Sequence, residues 1–561
     1  MKAGIKGLSI LLCVMLLSFS VPLAAFSQDS SDYTWVGSWS TSPVKAGVKV
    51  GGIRLMDFLS NRTVRSVVQL TLGGNALRVR VSNLYGESPL KIEAASIART
   101  NPKNEEQILA GSSKNLTFNG QASVTVPVGQ YLYSDPVKMN VVALETLSIS
   151  YYINSFTNIS TAGFYGATSY VAAGNQIGAE SLSRATPLLF SSGSITYHTI
   201  PFLTNVDVNA PGAYSVVIFG DSTVTNQSPY YLAEKFAENG VNNIGVLQQG
   251  IVANRLLYDS ENVSTVGMIY GEAGIDRFAH DVVSQAGVKK VFIKIGINDV
   301  LHPMTKSMEG KAPYSSVQDI IAGYQKLITM AHAAKIEVYF FFRTPWKGYT
   351  RDFALSPSNN LTWNVNAEGM LRSLNEWIKN TNTINGYIDT DSLRDSADRN
   401  KLRADYTTDG VHFSDLGARA LVDCIPMQFF GLKTQNIKSI SSIYADGEGG
   451  KVHSAYVPPD PSAPAQTTTA PDSSNPTEPP EGAETTTNTI VEDTSPTEYT
   501  TRVISVILDG EDNPSGEERE TQSPTKRIVG AVLLLFVGFV AIAGAYIYFM
   551  KYKKDETKAQ I

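Results

Sequence analysis

Two rhythms of apolar residues divide the chain. From about residue 33 to 200, apolar and polar positions alternate, as in Ala76-Leu77-Arg78-Val79-Arg80-Val81-Ser82. Period two is the pattern of a strand with one face in a core. Similar runs follow at 122–126, 146–153 and 194–200, separated by Gly, Asn and Pro, and helical periodicity is weak. Residues 33–205 are therefore read as an antiparallel β-sandwich, jelly-roll-like. Beyond Tyr214 the rhythm changes. Ser215-Val216-Val217-Ile218-Phe219 is a continuous apolar strand, and further strands are expected at 244–248, 290–295 and 336–342. Helices are expected between them, at 230–238, 275–284, 317–334, 370–379 and 417–430. Buried strands alternating with amphipathic helices predict, over 212–435, a parallel sheet with helices on both faces: a three-layer α/β/α sandwich. Right-handed crossovers put the carboxyl ends of its strands on one edge, where ligands bind.

The flanks read differently. Lys2 and Lys6 precede an apolar run over 10–23 and the small residues Ala24, Ala25 and Ser27, so residues 1–27 are expected to be a secretory signal peptide. Residues 456–525 are rich in Thr, Pro, Ser and Glu. Such a composition buries too little apolar surface to offset chain entropy and is read as a solvated stalk. Residues 528–550 carry no charge and, at about 1.5 Å per residue, are long enough to cross a bilayer. Tyr546, Tyr548 and Tyr552 with Lys551, Lys553 and Lys554 assign the tail 551–561 to the cytoplasm. The expected arrangement is a single-pass cell-membrane protein whose ectodomain is extracellular.

Composition sharpens this only a little. With the leader removed, Cys424 is the remaining cysteine, so no intramolecular disulfide can form. A formal net charge of −6 excludes nucleic acid as the expected partner.

Candidate chemistry collects at strand exits. Ser222 follows the strand ending at Phe219, and Gly220 permits a tight turn there. Its hydroxyl is either a turn cap or a nucleophile awaiting a base. Of the six histidines, His332 and His280 lie on helices, His198 in the β-region and His453 beside the stalk. His302 is a rival pocket residue. His412 is favoured because Asp409, three residues earlier, can accept from one ring nitrogen and stabilise the imidazolium. Acyl transfer also needs donors for an oxyanion. The backbone of Gly250, the amide of Asn298 and the Ser222 N–H lie at the same expected edge. Asp299 is read as structural, bonding nearby backbone.

Taken together, Gly220-Asp221-Ser222, Gly250, Gly296-Ile297-Asn298-Asp299 and Asp409-Gly410-Val411-His412 resemble the four blocks of the SGNH (GDSL-type) hydrolases. Gly250-Ile251-Val252-Ala253-Asn254-Arg255 is similar to that family's Gly-Ile-x-Gly-Asn-Arg, and Asp276-Arg277-Phe278 lies where related members carry Arg-Phe-Asp. Residues 33–200 resemble the β-sandwich that precedes the hydrolase in one extracellular branch. The resemblance implies Ser222 as nucleophile, His412 as base, Asp409 as its partner, and Ser222, Gly250 and Asn298 as the oxyanion hole. It implies neither metal nor cofactor. Thr223-Val224-Thr225-Asn226 departs from the usual Ile-Thr-Asp-Gly, and Ala253 replaces a glycine. Asn254 and Trp346 are the expected substrate contacts, the latter by stacking on a sugar or, equally, by packing its loop. The expected function is a cell-surface serine esterase that deacetylates polysaccharide. Alternatives are a lysophospholipase or general short-chain esterase, and a carbohydrate-binding adhesion protein with an inert hydrolase domain.

Overall fold

The computed structural model describes residues 33–449, apart from 47–48, 51–52, 55–57, 193–194, 226, 265–266, 350–360 and 448. The expected leader, stalk, membrane span and tail lie outside the described residues. In the N-terminal half the principal strands are β1 (Trp35–Ser40), β2 (Arg62–Gln69), β3 (Gly74–Ser82), β4 (Ala94–Asn101), β5 (Thr146–Ile153), β6 (Ala167–Ala173) and β7 (Leu203–Asn209). They form two antiparallel sheets. One runs β1–β7–β3, with Tyr131–Tyr133 and Val137–Val141 on the other side of β3. The other contains β4–β5–β2–β6, with β5 and β2 in register from Thr146–Gln69 to Ile153–Arg62.

Alternation along β3 explains how the sheets share a core. Leu77, Val79 and Val81 join Val64 and Val68 of β2 and Leu147, Ile149 and Tyr151 of β5 in one buried cluster. The polar half of the alternation does not simply face water. Arg80 is 3% exposed, donating to Thr204 Oγ1 at 2.9 Å and to Ser284 Oγ at 3.3 Å. Ser284 belongs to the following region, so this face of the β-region is partly an internal surface.

The second region supplies β8 (Tyr214–Gly220), α1 (Ser228–Glu238), β9 (Ile244–Gly250), α2 (Gly274–Phe278), β10 (Val288–Lys294), α3 (Ile297–Met304), α4 (Val317–Ala333), β11 (Glu337–Phe341), α5 (Val365–Asn380), β12 (Gly386–Ile388) and α6 (Asp415–Asp423). The strands are parallel in the order β9–β8–β10–β11–β12. Successive side chains leave opposite faces. Val217, Phe219, Val291 and Ile293 join one core, while Val216, Ile218 and Phe292 join another. The order reverses at β8, which has β9 on one side and β10 on the other, and such a switch point opens a crevice at the carboxyl edge.

Side-chain caps set the starts of three of these six helices, α4, α5 and α6. Ser316 and Asp319 form a reciprocal capping box before α4. Asn364 accepts from Asn366 N and Ala367 N, so α5 starts five residues before the expected 370. The helix expected at 417–430 ends at Asp423, and a 3₁₀ turn at Met427–Phe430 follows Pro426, which cannot continue it. The helix expected over 275–284 divides into α2 and a π turn at Ala279–Val283.

The two regions belong to one compact unit and touch backbone to backbone. The Gly37 N–H of β1 donates to the Ala286 carbonyl at 2.9 Å. Thr71 Oγ1 accepts from Val246 N at 2.9 Å, and Ser40 Oγ donates to the Gln248 carbonyl at 3.2 Å. A Cβ on Gly245 would stand 2.2 Å from the Gly37 carbonyl oxygen, and one on Gly37 would stand 2.6 Å from a Leu247 methyl. Gly245→Ala is therefore expected to wedge the regions apart. Overpacking of this kind costs about 1–3 kcal/mol. Urea unfolding should report that loss, and an unchanged midpoint would show that the contact yields freely.

Candidate active site

The nucleophile turn is built on a close strand contact. Gly220 ends β8 opposite Lys294 of β10, and a Cβ on it would lie 2.2 Å from the Lys294 carbonyl oxygen. The same carbonyl accepts from Asp221 N at 3.2 Å. Asp221 then caps a 3₁₀ turn, Ser222–Val224: its Oδ1 accepts from Thr223 N at 2.9 Å and from Thr223 Oγ1 at 2.7 Å. Ser222 thus sits at the start of a turn whose geometry its neighbours determine, and it is 9% exposed.

The loop before α6 brings the base. Gly410 adopts φ 102°, which favours glycine, and a Cβ there would lie 2.7 Å from Tyr349 N. Thr407 Oγ1 donates to the His412 carbonyl at 2.8 Å and accepts from Gly410 N at 2.9 Å. In this frame His412 Nε2 lies 2.8 Å from Ser222 Oγ, and Nδ1 lies 2.7 Å from Asp409 Oδ2. The other carboxylate oxygen, Oδ1, accepts from His412 N at 2.9 Å and Val411 N at 3.1 Å. Burial alone would raise the Asp409 pKa, but the bonds and charge of His412 and the bonds from both backbone amides outweigh it and hold the pKa below its usual value. The structure therefore brings Ser222, His412 and Asp409 into one hydrogen-bonded chain, in which the base can take the serine proton while the carboxylate orients the ring.

The expected donors border the same turn. Gly250 ends β9 in register with Gly220, and a Cβ on it would press on Val224 and Thr225 side chains at 3.1 and 3.0 Å. Asn298 lies in the first turn of α3 behind Gly296, whose φ is 114°. Its Nδ2 donates to the Asn254 carbonyl at 2.9 Å, which orients the amide. Asp299 does bond nearby backbone, accepting from Leu256 N and Leu257 N at 2.7 and 3.0 Å. Burial raises its pKa to about 6 against the pull of Arg255 and those two amides.

Two expected substrate contacts are not brought to the opening. Asn254 is fully buried, its Nδ2 donating to the Tyr270 and Glu272 carbonyls, both at 2.7 Å, and its Oδ1 accepting from Arg277. Both ends of the amide are engaged by protein, so it shapes the segment after β9 rather than meeting a ligand. Trp346 is also fully buried, in the core beneath β10 and β11, and offers no ring face to a sugar. The rival histidines are placed elsewhere. His302 is fully buried, and burial reinforced by Arg255 lowers its pKa to about 3. For His280, burial would lower the pKa, but Asp281 and Glu272 push it up to about 9.

Three residues with no assigned role support the site. Arg277, fully buried, donates to the Gly220 carbonyl at 2.7 Å, the Gln249 carbonyl at 3.1 Å, Asn254 Oδ1 at 2.9 Å and Asp281 Oδ2 at 2.6 Å. Its guanidinium also lies 4.0 Å from the centre of the Phe219 ring. Tyr165 of the N-terminal region lies beside Thr225, whose Oγ1 donates to the Ser222 carbonyl at 3.0 Å. Lys294, 2% exposed, donates to Thr223 Oγ1 and Thr344 Oγ1. The Asp276-Arg277-Phe278 motif was the sequence signal for the first. For Tyr165 and Lys294 no local signal exists, because their partners are distant in sequence. Among the described residues no cluster of His, Cys, Asp and Glu is arranged to hold a metal.

Residues 216–425 match the family model described as GDSL-like Lipase/Acylhydrolase. No curated protein matches the chain. Among solved structures, a GDSL-like lipase from Bacteroides thetaiotaomicron is 19% identical, with 39% of this chain and 88% of that one covered at a TM-score of 0.28. An acetylxylan esterase from Geobacillus stearothermophilus is 18% identical, with 41% and 98% covered at 0.29.

Two outcomes follow from the geometry. Asp409→Asn keeps the shape but loses the acceptor that fixes the ring tautomer. We expect kcat on an aryl acetate to fall on the order of 10⁴-fold, and a fall below about threefold would deny Asp409 its role. The second concerns pH. Burial lowers the Lys294 pKa from 10.5 to about 7, with Asp221 opposing and Arg343 assisting. Between those values the unfolded chain binds the extra proton, so stability from this group rises with pH across that window. Urea titrations at both ends should show that rise in the wild type and a flatter response in Lys294→Met.

Proposed function

Residues 216–425 belong to the GDSL-like lipase/acylhydrolase family, and from that premise we propose a cell-surface serine esterase that removes acetyl or similar small acyl groups from polysaccharide. The observation that carries the esterase reading is the continuous chain Ser222 Oγ to His412 to Asp409, at 2.8 and 2.7 Å. His412 takes the serine proton as Oγ attacks the ester carbonyl. The oxyanion is met by the backbone of Ser222 and Gly250 and the second amide hydrogen of Asn298, each such donor lowering the barrier by about 2.7–4 kcal/mol. Collapse transfers the proton from His412 to the departing alcohol and leaves an acyl-Ser222. Water, deprotonated by the same histidine, then releases the acid and restores the serine.

The finer reading rests on two supports. Ser222 is only 9% exposed, which suits a slim acyl group on an otherwise bulky substrate. The sequence expectation of a leader, stalk and membrane span supports an enzyme held outside the cell, which suits a polymer too large to enter it. A lysophospholipase or a general short-chain esterase uses the same chemistry. Ser222→Ala should lower kcat by about 10⁴- to 10⁶-fold. Wild-type protein should release acetate from acetylated xylan, mannan or pectin. If it cleaves aryl acetates and leaves all three polymers intact, the polysaccharide substrate is wrong; if it cleaves no ester, the domain is inert and a binding role takes its place.

A further inference from the structure

The side chain of Lys294 reaches across three loops that must stay aligned for catalysis. It stands in β10 directly opposite Gly220, and its backbone carbonyl already receives Asp221 N. Its Nζ donates to Thr223 Oγ1 at 3.0 Å and to Thr344 Oγ1, in the segment leaving β11, at 3.2 Å. The same nitrogen lies 5.6 Å from the centre of the Phe413 ring, the residue after the base. Thr223 Oγ1 passes the connection on, donating to Asp221 Oδ1 at 2.7 Å, the atom that also caps the nucleophile turn through Thr223 N.

Burying an amine among hydrophobic residues is unfavourable unless its hydrogens are accepted. Here both threonine hydroxyls accept, and the Asp221 carboxylate lies beyond. The departure at position 223 from the family's isoleucine gains a reason, because an apolar side chain could neither receive the lysine proton nor donate to Asp221. Lysine and threonine are therefore parts of one device. We propose that Lys294 is a positioning residue: through Thr223 it fixes the turn that aims the Ser222 hydroxyl at His412, and through Thr344 and Phe413 it sets the spacing of that turn from the base loop. It touches neither substrate nor the reacting atoms. The inference rests on the reading of Ser222 as nucleophile.

The test separates the two claims. A fluorophosphonate probe reports the nucleophile directly: Ser222 Oγ bonds phosphorus, fluoride leaves and His412 takes the proton. Failure of the full-length wild type to be labelled at Ser222 would overturn the nucleophile and this proposal with it. If the wild type is labelled, Thr223→Val and Lys294→Met should each lower the labelling rate by about 10- to 100-fold, as misalignment of a reacting group does. On an aryl acetate kcat should fall in parallel with the labelling rate, while KM stays within about twofold of wild type. The double variant should be no slower than the slower single one, because both cut the same connection. Thr223→Ser restores the hydroxyl and should return the rate to within about threefold of wild type. If Lys294→Met does not fold, the Val and Ser variants at position 223 decide alone. Wild-type labelling rates in folded Thr223→Val, equal losses in Thr223→Ser and Thr223→Val, or losses that multiply in the double variant would each overturn the positioning role while leaving the nucleophile in place.

Discussion

The Arg277 guanidinium is shut away from water, and its hydrogens reach the carbonyl oxygens at the ends of two adjacent strands, Gly220 of β8 and Gln249 of β9. Those strand ends carry the nucleophile turn and Gly250. The Gly220 carbonyl also receives Ile251 N at 3.1 Å, and the guanidinium adds a charged donor that ties it to the Gln249 carbonyl. Asp281 neutralises the cation and is itself held below its ordinary pKa, His280 and Arg277 outweighing its burial. Ser42 of the N-terminal region completes the arrangement, its Oγ 2.6 Å from Gln249 Oε1 and 3.0 Å from Asp281 Oδ2. Removing one partner from a buried pair of this kind leaves an uncompensated charge, typically about 3–5 kcal/mol. The spacing of the strand ends, and hence of the groups above them, depends on that one cation.

A second layer of buried polar groups lies beside it. Lys294, Thr223 and Asp221 run along the nucleophile turn, while Arg343, also buried, donates to the Ile293 carbonyl at 3.1 Å. The parallel strands supply hydrophobic contacts on both faces but leave carbonyls at their carboxyl ends pointing into the crevice. Long cationic side chains from neighbouring elements answer them. These buried groups bond chiefly to one another, which leaves the serine hydroxyl, the ring and the oxyanion donors to meet a substrate.

The sequence was most readable where periodicity and local chemistry agree. Thr146–Ile153 has the bounds expected of it, and the strand of β8 differs by one residue at each end. Asp409 and His412 are three residues apart on a glycine-hinged loop, so their pairing could be read locally; Ser222 meets them from 190 residues away and needed the family pattern. Trp346 misled because an aromatic in a loop after a strand looks available, whereas the core between β10, β11 and α5 claims it. Asn254 misled for the opposite reason: the motif is real, but both ends of its amide are turned inward. Lys294 and Tyr165 could not be found at all, since each acts through a partner far along the chain.

The meeting of Thr71 and Ser40 with Val246 and Gln248 has a wider consequence. β9 is the outermost strand of the parallel sheet, and an open sheet edge is a template for pairing with another chain. Val246 N–H and the Gln248 carbonyl, two residues apart, point the same way, and the N-terminal region occupies both with hydroxyls. The β-region therefore acts as an edge guard. A hydrolase half separated from it by truncation would carry an exposed, Val- and Leu-containing edge open to pairing with a second copy.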